Sequence, residues 1–348
     1  MVMPERYGIP STKTIELMKC LQVPFRNVGP DHKILVMTDT GMDLMVWQAV
    51  MAVIHERGAQ SMLCLFPKLP YHCADPISMA IAAAKSSDLV IALTTTCLNS
   101  GTLGLRSIRE EGKTGILLME ESTVEILTEG GGKTTVEELE EICDIQRRIG
   151  EVYDKGKKIH ILSDSGTDFT ADISGYPPNY HAERWPKLPV RIHEKTGRLT
   201  GGTWPFGEIH VEPVPGTANG TVVWDTTAHV PPGRWRDSVR LIIKDGWVTA
   251  IEGGNEAAQI REYLKTFGDK NAWAVGGEAA IGTNKKCPPN TWIMRSEKKR
   301  YGAMHFGIGH GADRGQVNSN LRLEGIIDRV TVVVDDDKVV CEKGQIKV

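Results

Sequence analysis

The chain has 348 residues, 41% of them hydrophobic and 24% charged, which suggests two globular cores rather than one and excludes a disordered chain. Its 41 Lys and Arg nearly cancel its 44 Asp and Glu, for a net charge of −3, so neither nucleic acid nor an anionic membrane is expected as a partner. The 7 cysteines show no CxxC or Cys/His zinc spacing, and no signal-peptide core or run of transmembrane length occurs, so a reduced, cytoplasmic protein is expected.

Residues 33–163 alternate short apolar runs with amphipathic stretches. "KILVMT" reads as a buried strand and "MDLMVWQAVMAVIHERG" as a helix closed by Gly58. "AQSMLCLF", "DLVIAL" and "GILLME" read as further strands, separated by helical "ISMAIAAAKSS" and "GTLGLRSIREEG". That rhythm predicts a parallel sheet with helices on its faces. "TVEELEEICDIQRRIGEVYDKG" is a long helix with Thr135 and Glu138 spaced as a capping box, and "KKIHIL" is another strand. From Ser163 to Gly207 the texture turns rich in Pro, Gly and Trp. Strand-like "GTVVWDT", "SVRLIIKDGWVTAI", "AWAVGGEAAIG" and "RVTVVVDDDKVV" follow, with one helix, "NEAAQIREYLKTFG". The expectation is an α/β domain over residues 1–164 and an α+β domain with a mostly antiparallel sheet over residues 165–348.

Several local signals have plain structural readings. "GGGKTT" lacks the glycine a phosphate loop needs five residues before its Gly-Lys pair, where Leu127 stands, so it reads as a turn into a capped helix. Asp39 and Asp43 in "TDTGMD" fall at the carboxyl edge of the sheet, where ligands bind but where Asp also caps helices. Ser165 has no G-x-S-x-G elbow around it.

The candidate site residues lie in the second half, each near glycine: Glu256, Glu278, His305, His310 and Glu324. If "NLRLE" is a strand, Arg322 and Glu324 share a face. His305 and His310 are five residues apart, which fits neither one strand face nor one helix face, so one of them at most is expected on a metal, and His305 is the better placed.

The segment "WPFGEIHVEPVPGTANGTVVWD" (204–225) resembles the GE…P…nGt segment of the thermophilic metallo-aminopeptidases, a family that shares its fold with the 2,5-dihydroxypyridine 5,6-dioxygenases. "SGTDFTADISGYP" and "IEGGNEAAQIREYLKTFGD" look closer to the dioxygenase branch. In the aminopeptidases two ions are held by two Glu, two His and an Asp. The resemblance carries these onto Glu256, Glu278 and His305, with Arg322 and Glu324 at the last H-x-D pair. In the dioxygenases two His and an Asp hold one iron, and those positions read Glu278, Arg322 and Glu324. The resemblance also implies a homo-oligomer.

Arg322 sets the terms of any metal site. A guanidinium stays protonated and has no lone pair to give, and at about 5 Å it repels a divalent ion by roughly 7 kcal/mol at an effective dielectric near 20. Attraction to Glu256, Glu278 and Glu324 offsets this. The reading is that Arg322 fills the space of a second cation, leaving one ion on oxygen-rich ligands and His305, a set suited to Mn, Zn or Mg. The expected function is a metal-dependent hydrolase of a small amide, lactam or N-heterocycle. Glu256 or Glu278 would be the general base, and Arg322 with His310 would hold substrate. The alternatives are a ring-cleaving iron dioxygenase and a metal-free binding protein.

Overall fold

The computed structural model describes residues 11–98, 104–177, 188–311 and 316–348. Four parallel strands form the first sheet in the order Gln60–Phe66, Lys33–Asp39, Leu89–Leu93, Gly115–Leu118. Helices Leu44–Glu56, Ser78–Lys85 and Gly104–Glu111 connect them, as the alternation predicts. Leu89–Leu93 is buried at every position because helices cover both faces of a parallel sheet. Asp43 caps its helix by accepting from the Met45 N–H at 2.8 Å, and Gly58 ends it at φ +77°. Asp39 is equally structural: its carboxylate accepts the N–H groups of Gly41 and Thr95. The Thr135–Glu138 capping box opens helix Val136–Tyr153, directly after the short turn Gly131–Lys133.

The strand Lys158–Leu162 departs from expectation. It joins no parallel strand but pairs antiparallel with Asp168–Asp172 and with Thr331–Val334. A tight turn around Ser163 and Ser165 makes a hairpin of the first pair, so strand pairing crosses the expected boundary at residue 164. Local pattern gave the strand and not its sheet, because a short apolar run reads alike in either setting.

That strand sits within an eight-stranded antiparallel sheet, which also contains the hairpin Val239–Lys244 and Trp247–Glu252. Its turn residues Asp245 and Gly246 both have positive φ, as a two-residue hairpin turn requires. A second antiparallel sheet has four strands in the order Arg322–Ile327, Met304–Gly309, Ala279–Gly282, Glu208–Val211. The two sheets share one apolar core, in which Phe169 meets Phe306 edge-on at 5.0 Å. Trp224, fully buried, lies against Gly325, where an added Cβ would come within 2.2 Å of the indole.

Candidate metal centre

The four-stranded sheet is two-faced, and the alternation of its strands determines which residues form the site. Ile209, Val211, Ala279, Ile281, Met304, Phe306, Ile308, Leu323 and Ile327 enter the shared core. The opposite face therefore carries the residues between them. Across the register His210 pairs with Ala280, Ala280 with His305, and His305 with Ile326, while Gly307 pairs with Glu324 and Gly309 with Arg322. Glu208, His210, Glu278, His305, Arg322 and Glu324 thus converge on one face. Gly307 leaves room above the sheet for Glu324, whose Cγ would lie 3.1 Å from an added Cβ.

A short helix, Met294–Glu297, packs Met294 against Ile326 on this face. It and the turn after it supply three more buried cations, Arg295, Lys298 and Lys299. Arg295 reaches across to Glu120, at the carboxyl end of the parallel sheet, and donates from Nε to the Glu120 carbonyl at 2.9 Å. Cys73, on the loop after the first sheet's edge strand, donates to the Arg322 carbonyl. The cluster therefore sits where the carboxyl edge of the α/β sheet meets the second antiparallel sheet.

Ion pairs fill the cluster. Arg322 Nη2 lies 2.6 Å from Glu278 Oε1, and its Nε lies 2.6 Å from Glu324 Oε1. Lys298 pairs with Glu324 Oε2, and Lys299 with Glu208 Oε1. His305 Nε2 meets Glu278 Oε1 at 2.9 Å, and His210 Nδ1 stands 3.5 Å from Glu278 Oε2. Burial alone would raise all three carboxyls. Arg322, His210 and His305 instead hold Glu278 well below the usual range, Lys298 and Arg322 hold Glu324 down, and Lys299 with His305 lowers Glu208. Burial pulls Lys298 down, yet the Glu324 carboxylate outweighs it and holds the ammonium above its ordinary value. For Lys299 burial prevails over Glu208, and its value is lowered.

Two buried atoms test whether an ion fits here. Glu278, ionised, can only accept, so His305 Nε2 donates to it. Its Nδ1 faces Glu208 Oε2 at 3.7 Å, and neither atom has a hydrogen-bond partner. An unpartnered carboxylate oxygen in a buried site favours positive charge beside it. Glu278, His305 and Glu324 also place one donor atom each within 4.8 Å of one another. Carboxylate oxygens with one imidazole suit a hard or borderline divalent ion.

A second group, His72, Glu121 and His229, has the same compactness but fits an ion poorly. His72 is neutral, its value lowered by burial to about 4. Its Nδ1 accepts the Cys97 N–H at 3.1 Å, so the ring proton sits on Nε2 and no lone pair is left.

The structure brings together Glu278, His305, Arg322 and Glu324 from the sequence reading, and it corrects the placement of Glu256. Glu256 lies away from them, on the first turn of helix Asn255–Phe267, where Oε1 accepts the Arg236 N–H at 3.0 Å. Hydrogen bonds from backbone N–H groups hold its carboxyl below the usual value, as at any helix N-terminus. His310 is a loop pin: its N–H bonds the Leu321 carbonyl at 2.8 Å, and Nδ1 accepts from the Ser319 N–H. The carboxylate that does join the cluster is Glu208. Its signal was the alternation in "GEIHVE", which puts Glu208 and His210 on one strand face.

Comparison with known proteins bears on the chemistry. Residues 17–347 match the model of the NicX family, 2,5-dihydroxypyridine 5,6-dioxygenase. The chain belongs to this family. A 2,5-dihydroxypyridine 5,6-dioxygenase of Pseudomonas putida is 29% identical over 123 residues, 35% of this chain, so the match spans about a third of that relative's length (32%). The structure of the 2,5-dihydroxypyridine dioxygenase of P. putida KT2440 superimposes with a TM-score of 0.73 at 20% identity, covering 98% of this chain and 99% of the other. AmpT from Thermus thermophilus gives 0.62 at 12% identity, covering 97% and 99%. At these identities both structures show the shared fold, the α/β and antiparallel arrangement expected from the sequence. The hydrolase expectation is overturned: the family model and the curated relative are dioxygenases. A NicX-family chain with Glu278, His305 and Glu324 gathered at its centre has donors for a divalent ion. At Glu278, Arg322 and Glu324 it has no histidine. No helix among the described residues is long and apolar enough to cross a membrane.

Proposed function

We propose that this protein is a ring-cleaving dioxygenase that acts on a small, electron-rich N-heterocycle of the dihydroxypyridine class. The observation that carries the reading is the family match across residues 17–347, which includes every strand of the ion-pair cluster. A divalent ion, iron in this reading, would be held by Glu208, Glu278, His305 and Glu324. When bound, it supplies the redox chemistry that allows O2 to react with an aromatic ring.

The chain's own residues set the stage for that chemistry. Glu278 fixes the His305 ring through its contact with Nε2, which turns Nδ1 toward Glu208. Lys299 holds the other oxygen of Glu208, so this carboxylate has one orientation. Lys298 and Arg322 lock Glu324 from two sides. With its charges fixed by these pairs, the cluster needs little reorganisation as charge develops on a substrate. A homo-oligomer is part of the same reading. The edge strand Gln60–Phe66 exposes Met62 and Leu65, and light scattering would report the state directly.

The test is an oxygen electrode with protein reconstituted in ferrous iron and offered 2,5-dihydroxypyridine or a catechol. Uptake of one O2 per ring lost, absent in Glu278→Gln, is expected. Uptake no faster than with free iron for both ring types would refute the reading.

A further inference from the structure

We propose that Cys73 and Cys97 form a redox pair, which a peroxide converts reversibly to a disulfide beside the candidate metal centre. The two lie far apart in sequence, one on the loop after the edge strand Gln60–Phe66 and the other after Leu89–Leu93, so no cysteine spacing announces them. The parallel sheet brings both loops to its carboxyl edge. Both cysteines are thiols here, and both are buried. The inference stands on their geometry and does not depend on whether an ion is bound.

Backbone contacts hold the pair together. The Cys73 N–H donates to the Cys97 carbonyl at 2.8 Å, which sets the two Cα atoms roughly 5–6 Å apart, within the span that a disulfide bridges. The Cys97 N–H donates in turn to Nδ1 of the adjoining His72 at 3.1 Å, so the two segments are tied twice. The side chains agree with the backbone. The thiols are hydrogen-bonded to each other, and Cys73 Sγ also donates to the Arg322 carbonyl at 3.8 Å. Cys73 takes this position at φ +71°, a left-handed backbone unfavourable for a residue with a Cβ, and its contacts hold it there.

The chemistry balances with one hydrogen peroxide per pair. Cys97 is the more accessible thiol, 9% exposed against 1% for Cys73, so its sulfur takes one oxygen from the peroxide. The O–O bond breaks, Cys97 becomes a sulfenic acid, and the first water leaves. Cys73 then attacks that sulfur, the S–O bond breaks, and the departing hydroxyl carries off the Cys73 proton as a second water. The two thiols lose two electrons, and these reduce the peroxide to water. The hydrogen bond to Cys73, together with burial, holds the Cys97 thiol well above its ordinary value, so the first step is slow at neutral pH. The bridge removes the proton that Cys73 donates to the Arg322 carbonyl and staples the loop that touches Arg322 to its neighbour.

The test is peptide mass spectrometry on the full chain. Native protein is incubated with hydrogen peroxide, remaining thiols are blocked with N-ethylmaleimide in urea, and the digest is mapped before and after dithiothreitol. The expected product is a cross-linked peptide joining Cys73 to Cys97, lighter by two hydrogens and released by dithiothreitol. In Cys73→Ser the cross-link should vanish and Cys97 should proceed to sulfinic acid, because no neighbouring thiol intercepts the sulfenic acid. The unsubstituted chain decides the matter even if that variant fails to fold. Cys73 and Cys97 both still alkylated once the half-buried Cys20 and Cys64 have oxidised, or a bridge from either to another cysteine, overturns the proposal. Oxygen uptake plays no part in this readout, so its presence or absence bears on the dioxygenase reading alone.

Discussion

Glu324→Gln probes the energetics of the cluster most directly. The carboxylate is almost wholly buried, lies 2.6 Å from Arg322 Nε through Oε1, and is paired with Lys298 through Oε2. At an effective dielectric near 20, each contact contributes roughly 6 kcal/mol of gross attraction. Much of that is offset by the carboxylate's desolvation, which the neutral amide escapes. Arg322 keeps Glu278 as a partner, whereas Lys298 has no second ion pair among the described residues and is left as a buried ammonium. Breaking a buried pair by removing one partner costs about 3–5 kcal/mol, and about 4 is expected here. Urea unfolding of chelator-treated protein at pH 7 would show it as a lower midpoint at unchanged slope. The pH dependence adds a second reading. Because the folded value of Glu324 lies below its unfolded one, its stabilisation is present above the ordinary carboxyl range and is lost as pH falls through and below that range. The variant should therefore lose less stability on acidification than wild type. A midpoint within 1 kcal/mol of wild type, about the median for an exposed ion pair, would refute the account of Glu324 as a buried counter-charge.

Other consequences follow from the same geometry. Gly325→Ala drives a methyl into the Trp224 indole and should cost about 2–3 kcal/mol, read as a fall in the thermal midpoint. Burial raises the Glu121 carboxyl to about 7, so the folded chain keeps a proton the unfolded chain releases, and stability falls as pH rises between about 4.5 and 7. Glu121→Gln should remove that descent, for a gain of about 2 kcal/mol at pH 7.5 by denaturation. The neutral His72 acts in the opposite sense: its folded value near 4 lies below the unfolded one, so its contribution disappears as pH drops from about 6.5 to 4. Comparison of His72→Asn with wild type across that window would isolate it. Glu256→Gln should leave metal content unchanged and cost about 1 kcal/mol through the weakened helix terminus; a loss of bound metal would return Glu256 to the site.

Local pattern in the chain determined much of this protein. The run from "KILVMT" to "GILLME" carried its parallel sheet openly, because strands buried on both faces are continuously apolar and the helices between them keep their own period. The capped start at Thr135, the turn at Asp245 and Gly246, and the shared face of Arg322 and Glu324 are local matters of backbone geometry. Long-range pairing decided the rest. Whether Lys158–Leu162 belonged to the first sheet or the second depended on a partner at residues 331–334. Glu208 and Glu256 looked alike in sequence, each a carboxylate near glycine. Only the register of Glu208–Val211 against Ala279–Gly282 set the first over the cluster, while a helix terminus absorbed the second. Lys298 and Lys299 carry no local signal of burial, and packing of Met294 on Ile326 buried them as counter-charges. Side-chain periodicity is written in a few neighbouring residues, but the identity of a counter-ion is fixed by strands far apart in the chain, so charge balance at a buried centre emerges only in three dimensions.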